Sequence, residues 1–102
     1  RSTSFSHEIF FRIAMSVYDC GYPMIAYRMF KTYTETHNAN GDEGIAYLAS
    51  CCLHINKREE YLKNLKLACE RNPIEARKIL GVEFPEGMDP KDYYDYEMSK
   101  QQ

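Results

Sequence analysis

The sequence predicts an all-α domain of stacked antiparallel helical hairpins, with five to six helices over residues 1–102. Three observations predict it. Apolar residues recur at helical spacing, while period-2 alternation is scarce. Helix stop and start signatures punctuate the chain at Cys20-Gly21, Asn72-Pro73 and Asp89-Pro90. A pattern of apolar and small residues also repeats at an offset of 35, so that Phe10-x-x-Ile13-Ala14-x-x-Val17 falls on Ile45-x-x-Leu48-Ala49-x-x-Cys52.

The first helix is expected from Phe5 to Asp19, with Phe10, Ile13, Ala14 and Val17 as its inward stripe at i, i+3, i+4 and i+7. Gly21 stops it, because glycine takes the left-handed conformation that ends a helix at no steric cost. Pro23 suits the first turn of a second helix, which runs to Thr36 and points Ala26, Tyr27, Phe30 and Tyr33 inward. His37-Asn38-Ala39-Asn40-Gly41 reads as a turn.

Asp42 is the expected N-cap of a third helix, to Ile55, with Ile45, Leu48, Ala49 and Cys52 inward. Asn56 is expected to cap a fourth, from Lys57 to Arg71. Its Glu59 and Glu60 favour the helix N-terminus, Glu59 pairs with Lys63 on an outer face, and Tyr61, Leu65 and Ala68 face the other way. Asn72-Pro73-Ile74-Glu75 starts a short fifth helix ending at Leu80-Gly81. Asp89-Pro90-Lys91-Asp92 starts a last helix, residues 89–98, that carries Tyr93, Tyr94, Tyr96 and Met98. The tail Ser99–Gln102 is expected to fray.

The repeat carries on into the second helices, where Ala26 and Phe30 fall on Tyr61 and Leu65, and at an offset of 32 Leu48-Ala49 falls on Leu80-Gly81. These residues resemble the tetratricopeptide and Sel1-like helical repeats. Phe10, Ile13-Ala14, Val17, Gly21, Ala26 and Phe30 resemble one unit, residues 5–37. Ile45, Leu48-Ala49, Cys52, Leu65, Ala68 and Pro73 resemble a second, residues 42–72, and residues 73–81 a partial third. Leu67 to Gly81 also resembles the Sel1-like join. The chain departs from the pattern with Asn38 where proline is usual, Asn56 at the turn glycine and Tyr61 at the packing alanine.

The resemblance implies one end of a right-handed α-solenoid, in which each hairpin stacks on the next because it cannot bury its apolar face alone. The last helix then serves as a cap, or else its tyrosine-rich, acidic run is itself a docking segment. In such folds the first helix of each unit lines a concave face that takes protein or peptide partners. Carried over residue by residue, that face is Glu8, Phe11, Arg12, Met15 and Tyr18, then Glu43, Ala46, Tyr47, Ser50 and His54, then Lys78. Met, Tyr, Phe and Arg are the residue types enriched at interfaces. Phe11, Met15 and Ala46 stand where a clamp for a C-terminal carboxylate would need Lys and Asn, so an extended or helical peptide is the expected guest.

Composition sets limits on other functions. A net charge of -2 gives no broad attraction to nucleic acid. No run approaches the roughly 20 apolar residues of a membrane span. Self-association stays open. The opening Arg1-Ser2-Thr3-Ser4 lacks an initiator Met and a long apolar run, so an intact signal peptide is not expected, and the chain reads as a piece of a longer one.

No G-x-S-x-G, H-E-x-x-H, phosphate-loop or dinucleotide fingerprint occurs, so neither an enzyme nor a cofactor is expected. The sharpest chemical alternative is a metal or redox site at Cys51-Cys52-x-His54, completed by Cys20 or Cys69 on folding. Against it, no C-x-x-C spacing is present. Four sparse cysteines read as small packing residues in a reducing, cytoplasmic compartment. His7 and His37 read as solvent-facing or turn residues. A further alternative is an accessory or regulatory domain of a larger enzyme or secretion assembly, its groove holding another part of the same chain.

Overall fold

The computed structural model describes residues 2–36 and 42–101. These form six α-helices and one 3-10 turn: α1 (Ser2–Asp19), α2 (Pro23–Thr36), α3 (Asp42–His54), α4 (Arg58–Arg71), α5 (Pro73–Leu80), the 3-10 turn Pro90–Asp92, and α6 (Tyr93–Lys100). Among the described residues there is no strand. The expected turn His37–Gly41, with Asn38, lies outside the described residues.

From α1 to α4 each helix packs against the next, and α5 packs into the angle between α3 and α4. The 3-10 turn and α6 lie on α4. This makes α3 the central helix, and every residue from Gly44 to Cys52 is buried. One face of α3 gives Tyr47, Leu48, Cys51 and Cys52 to a core cluster with Ala14, Ala26, Tyr27 and Phe30. Another gives Ile45 and Ala46 to a second cluster with Leu65, Ala68, Cys69, Ala76 and Val82. Such continuous burial is helped by small residues, and Gly44 lies close against α2. A Cβ there would lie 3.1 Å from Tyr33 Cδ2 and 3.3 Å from Thr34 Cγ2.

The turns explain how α1–α2 and α3–α4 reverse. Gly21 and Asn56 both take positive φ, 88° and 63°. The amide of Tyr22 donates to the Val17 carbonyl at 3.2 Å, and that of Lys57 donates to the Cys52 carbonyl at 2.9 Å. Cys20 to Ser16 and Ile55 to Cys51 form a second matching pair, and Ala26 to Tyr22 and Tyr61 to Lys57 a third. The two turns are thus hydrogen-bonded alike at an offset of 35.

This corrects the expected role of Asn56. It ends α3 in the left-handed conformation, which Asn tolerates better than most residues, and Lys57 stands at the cap of α4. Asp42 is the first residue of α3, where a carboxylate favours the helix dipole. Asn72 caps α5 as expected: its side chain accepts from the Glu75 amide at 3.4 Å, and its Nδ2 donates to the Asp42 carbonyl at 3.3 Å. Asp89 likewise accepts from the Lys91 amide at 3.2 Å. Gly81 is not a mid-helix small residue like Ala49, because its φ of 67° ends α5.

The inward stripe of α2 is Ala26, Tyr27, Phe30 and Tyr33, as its spacing predicts. The stripe of α1 is displaced by one residue. Ala14 is buried, but Ile13 stays 49% exposed, and the large side chains packed on the core are Phe11, Met15, Val17 and Tyr18. The α1 sequence offers apolar residues on both sides of Ala14, so its spacing alone admits two inward faces.

Candidate functional site

The α1 face that packs inward is also the one expected to line a groove. Phe11 meets Tyr33 at a ring-centroid distance of 5.1 Å, and meets Phe30 and Tyr47 edge-on at 5.8 Å each. Tyr47 stacks on Phe30 at 5.1 Å. Tyr18 meets Tyr47 edge-on at 5.6 Å and lies 6.5 Å from the His54 ring. The Tyr18 hydroxyl shares a hydrogen bond with Ser50 Oγ, joining α1 to α3. The edge-on and stacked geometries are those that aromatic quadrupoles favour.

The eight residues expected at a partner-binding face therefore divide. Tyr47 and Ser50 are buried. Phe11, Met15 and Tyr18 are half-buried, and Arg12, His54 and Lys78 are exposed. Ala46, on the same expected face, is buried under the second cluster. Burial pushes the Tyr47 hydroxyl above its ordinary pKa, with the Glu75, Asp19 and Tyr18 charges adding to it. Its ring is the wall between α1 and α3 rather than a surface.

At one end of this wall a hollow of about 500 Å³ opens between α1, α2 and α3. Phe11, Met15 and Tyr33 give it an apolar floor, and His7, Glu8, Arg12 and Glu43 form its rim. Arg12 pairs with Glu8 at 3.8 Å along α1. At the other end His54 stands beside Tyr18. Lys78 sits on α5 with Glu75 at 3.9 Å, so it is placed by its own helix rather than by the groove.

The cysteine alternative meets a different geometry. Cys51, Cys52 and Cys69 are buried free thiols, whereas His54 and Cys20 are exposed. Cys51 is fully buried in the core cluster, whereas His54, one turn further along α3, reaches solvent, so the two do not meet at an open site. Burial pushes Cys51 up to about 12, and Cys52 and Cys69 up to about 11. A thiol held neutral in this way is a poor nucleophile and a poor ligand. Among the described residues no group of three or more His, Cys, Asp or Glu could hold a metal ion.

One polar cluster lay beyond sequence reasoning. The Tyr27 hydroxyl donates to both Glu60 carboxylate oxygens at 2.8 Å, and Lys31 Nζ donates to the same hydroxyl at 3.2 Å and pairs with Glu60 at 3.4 Å. Burial and the Glu60 carboxylate raise the Tyr27 pKa. This cluster borders a second hollow of about 670 Å³ between α2 and α4, with Asp42 and Arg71 at its far side, 3.8 Å apart. Glu60 reads in sequence as a helix-dipole acid, and no spacing signal links it to a tyrosine 33 positions earlier.

Among the described residues no helix is long and apolar enough to cross a membrane. No family model, no curated protein and no solved structure matches this chain.

Proposed function

We propose that the chain is a non-catalytic protein-interaction module of the tetratricopeptide or Sel1-like kind, working as a scaffold in the cytoplasm. In this reading it takes a peptide segment of a protein partner in the groove between α1 and α3. The observation that carries the reading is the hollow of about 500 Å³, where an apolar floor of Phe11, Met15 and Tyr33 is rimmed by the charged Glu8, Arg12 and Glu43. An apolar side chain of a guest would seat on that floor, with its flanking polar groups at the rim. The matched turns at an offset of 35 support the repeat reading. The cytoplasmic part of the reading is supported by sparse cysteines that serve as small packing residues, three of the four buried.

The rings of Tyr47 and Phe30 hold the floor, so they are positioning residues for the groove. The contact residues are Phe11 at its edge, with Arg12, Met15, Glu8 and Glu43. Displayed random peptides selected on the chain, followed by chemical-shift mapping of the tightest binder, test this. Shifts centred on Glu8, Phe11, Arg12, Met15 and Glu43 are the expected result. Replacing Arg12 by Glu, or Glu43 by Lys, is expected to weaken that peptide at least about tenfold, or ~1.4 kcal/mol, with the helical circular dichroism unchanged. Shifts centred on α6 instead would overturn the groove assignment.

A further inference from the structure

The outer face of the first hairpin is apolar and exposed. Ile9 and Ile13 on α1 are 40% and 49% exposed, Tyr22 in the turn 59%, and Ile25 in the first turn of α2 53%. With Val17 and Cys20, the first three line an open hollow of about 380 Å³. Arg12 stands at the border of this face, paired with Glu8 on the groove side.

The 35-residue offset, at which the two turns are hydrogen-bonded alike, says what such a face packs against. It carries Ile9 onto Gly44, where a Cβ would lie 3.1 Å from Tyr33 and 3.6 Å from Phe30 of α2. It carries Ile13 and Val17 onto Leu48 and Cys52, buried in one cluster with Ala26, Tyr27 and Phe30 of α2. Cys20 falls on Ile55, which packs on the same cluster. Tyr22 falls on Lys57, whose Nζ stands 5.4 Å over the Tyr27 ring, and Ile25 on Glu60, which accepts from the Tyr27 hydroxyl. All six positions thus have their counterparts in the packing around α2. The other exposed residues Leu53 and Ile74, late in α3 and at the start of α5, are no part of this face.

We infer that the outer face of α1 is the seat of a further helix, carried by the segment that precedes residue 1 in a longer polypeptide, and covering α1 as α2 covers α3. The connection argues for the same polypeptide as its source. α2 ends at Thr36 and α3 begins at Asp42, so a helix seated likewise on α1 ends close to where α1 starts. The substitutions say how this helix differs from α2. Ile9 fills the place that Gly44 leaves for Tyr33, so the covering helix carries a small residue there. Tyr22 and Ile25 stand in place of Lys57 and Glu60, so its contacts are apolar where Tyr27 and Lys31 of α2 meet charged groups. The inference rests on the repeat in the proposed reading and not on the peptide groove, which lies on the other side of α1.

The test compares the 102-residue chain with the natural polypeptide extended upstream of Arg1 by about 40 residues, one repeat and its connection. The added sequence is expected to carry one helix with an apolar stripe. Cys20 is exposed in the 102-residue chain, and its labelling by a thiol reagent is expected to slow at least about tenfold in the longer one. Ile13→Glu is expected to leave the melting midpoint of the 102-residue chain unchanged, because Ile13 is half-exposed there, and to lower that of the longer polypeptide by several degrees. Leu53→Glu is expected to act alike on both. An added sequence without such a helix, equal labelling of Cys20, or an equal effect of Ile13→Glu on the two overturns the inference. A dimer of the longer polypeptide that Ile13→Glu abolishes in ultracentrifugation gives the face to a second copy and overturns it too. None of these outcomes bears on peptide binding at Phe11 and Met15, so the groove stands or falls separately.

Discussion

Single side chains show how the core controls chemistry. Cys51, Cys52 and Cys69 have folded pKa values of about 12, 11 and 11 against an ordinary 9.0. The sign follows directly. The folded chain holds these protons more tightly than the unfolded chain, so burying the thiols costs no ionisation below pH 9. Between pH 9 and 12 the unfolded thiols ionise first, and folding stability falls. Urea melts across that window are expected to show a fall in midpoint that becomes shallower in the Cys51→Ala, Cys52→Ala, Cys69→Ala chain. A thiol reagent is expected to find at most one reactive cysteine, Cys20, in the folded chain, and four after unfolding. Early reaction at Cys51 or Cys52 would mean that α3 is not central. Gly44 is a second residue-scale test. A valine there must fit against Tyr33 and Thr34, so Gly44→Val is expected to cost about 1–3 kcal/mol by overpacking, read by chemical denaturation.

At the scale of elements, what the sequence reveals depends on how many faces a helix leaves apolar. α2 has one apolar stripe that runs its whole length, with Met24 and Ile25 off it only at its start, so Ala26, Tyr27, Phe30 and Tyr33 are read correctly. α1 has Phe10 beside Phe11, Ile13 beside Ala14 and Val17 beside Tyr18, and periodicity cannot choose between two inward faces. The choice is made by ring packing on Phe30, Tyr33 and Tyr47, contacts 19 to 36 positions away from Phe11. The same long range hides the Tyr27, Lys31 and Glu60 cluster. It also buries Tyr47 and Ser50 on the face expected to meet a partner: position along a helix is legible, but the depth of a groove between two helices is not. Phe11→Ala is therefore expected to cost about 2–4 kcal/mol in dilute solution, and Ile13→Ala within about 0.5 kcal/mol. Equal costs would restore the original stripe. The turn between α3 and α4 gives a sharper test. Asn56→Gly is expected to be within about 0.5 kcal/mol of the native chain, while Asn56→Val, forced into the left-handed region, is expected to cost about 1–2 kcal/mol.

At the scale of the whole molecule, the two core clusters are joined rather than stacked side by side. α3 feeds both, and Tyr61 and Ile79 pack against both. The outer layer of the second cluster comes from the C-terminal segment: Phe84, Tyr93 and Tyr94 lie on it. Phe84 meets Tyr93 edge-on at 5.2 Å, and the Arg77 guanidinium sits 4.9 Å over the Phe84 ring. Lys66 lies 5.5 Å from the Tyr94 ring centre, holding α6 against α4. A segment placed this way acts as a lid on Leu65, Val82 and the α4–α5 angle. Removing residues 88–102 would bare Tyr61, Leu65, Leu80 and Val82 together, a patch too apolar to leave in water without consequence. The truncated chain is expected to melt at a lower midpoint and to bind a hydrophobic dye. The aromatic near-ultraviolet signal of the Phe11, Phe30 and Tyr47 cluster should survive, because α6 packs on α4 and the 3-10 turn, whereas these rings belong to the other core cluster. Because α3 couples the clusters, the transition should remain single. Two separate transitions would show that the halves fold independently, and an unchanged midpoint would show that α6 rests on the surface and caps nothing.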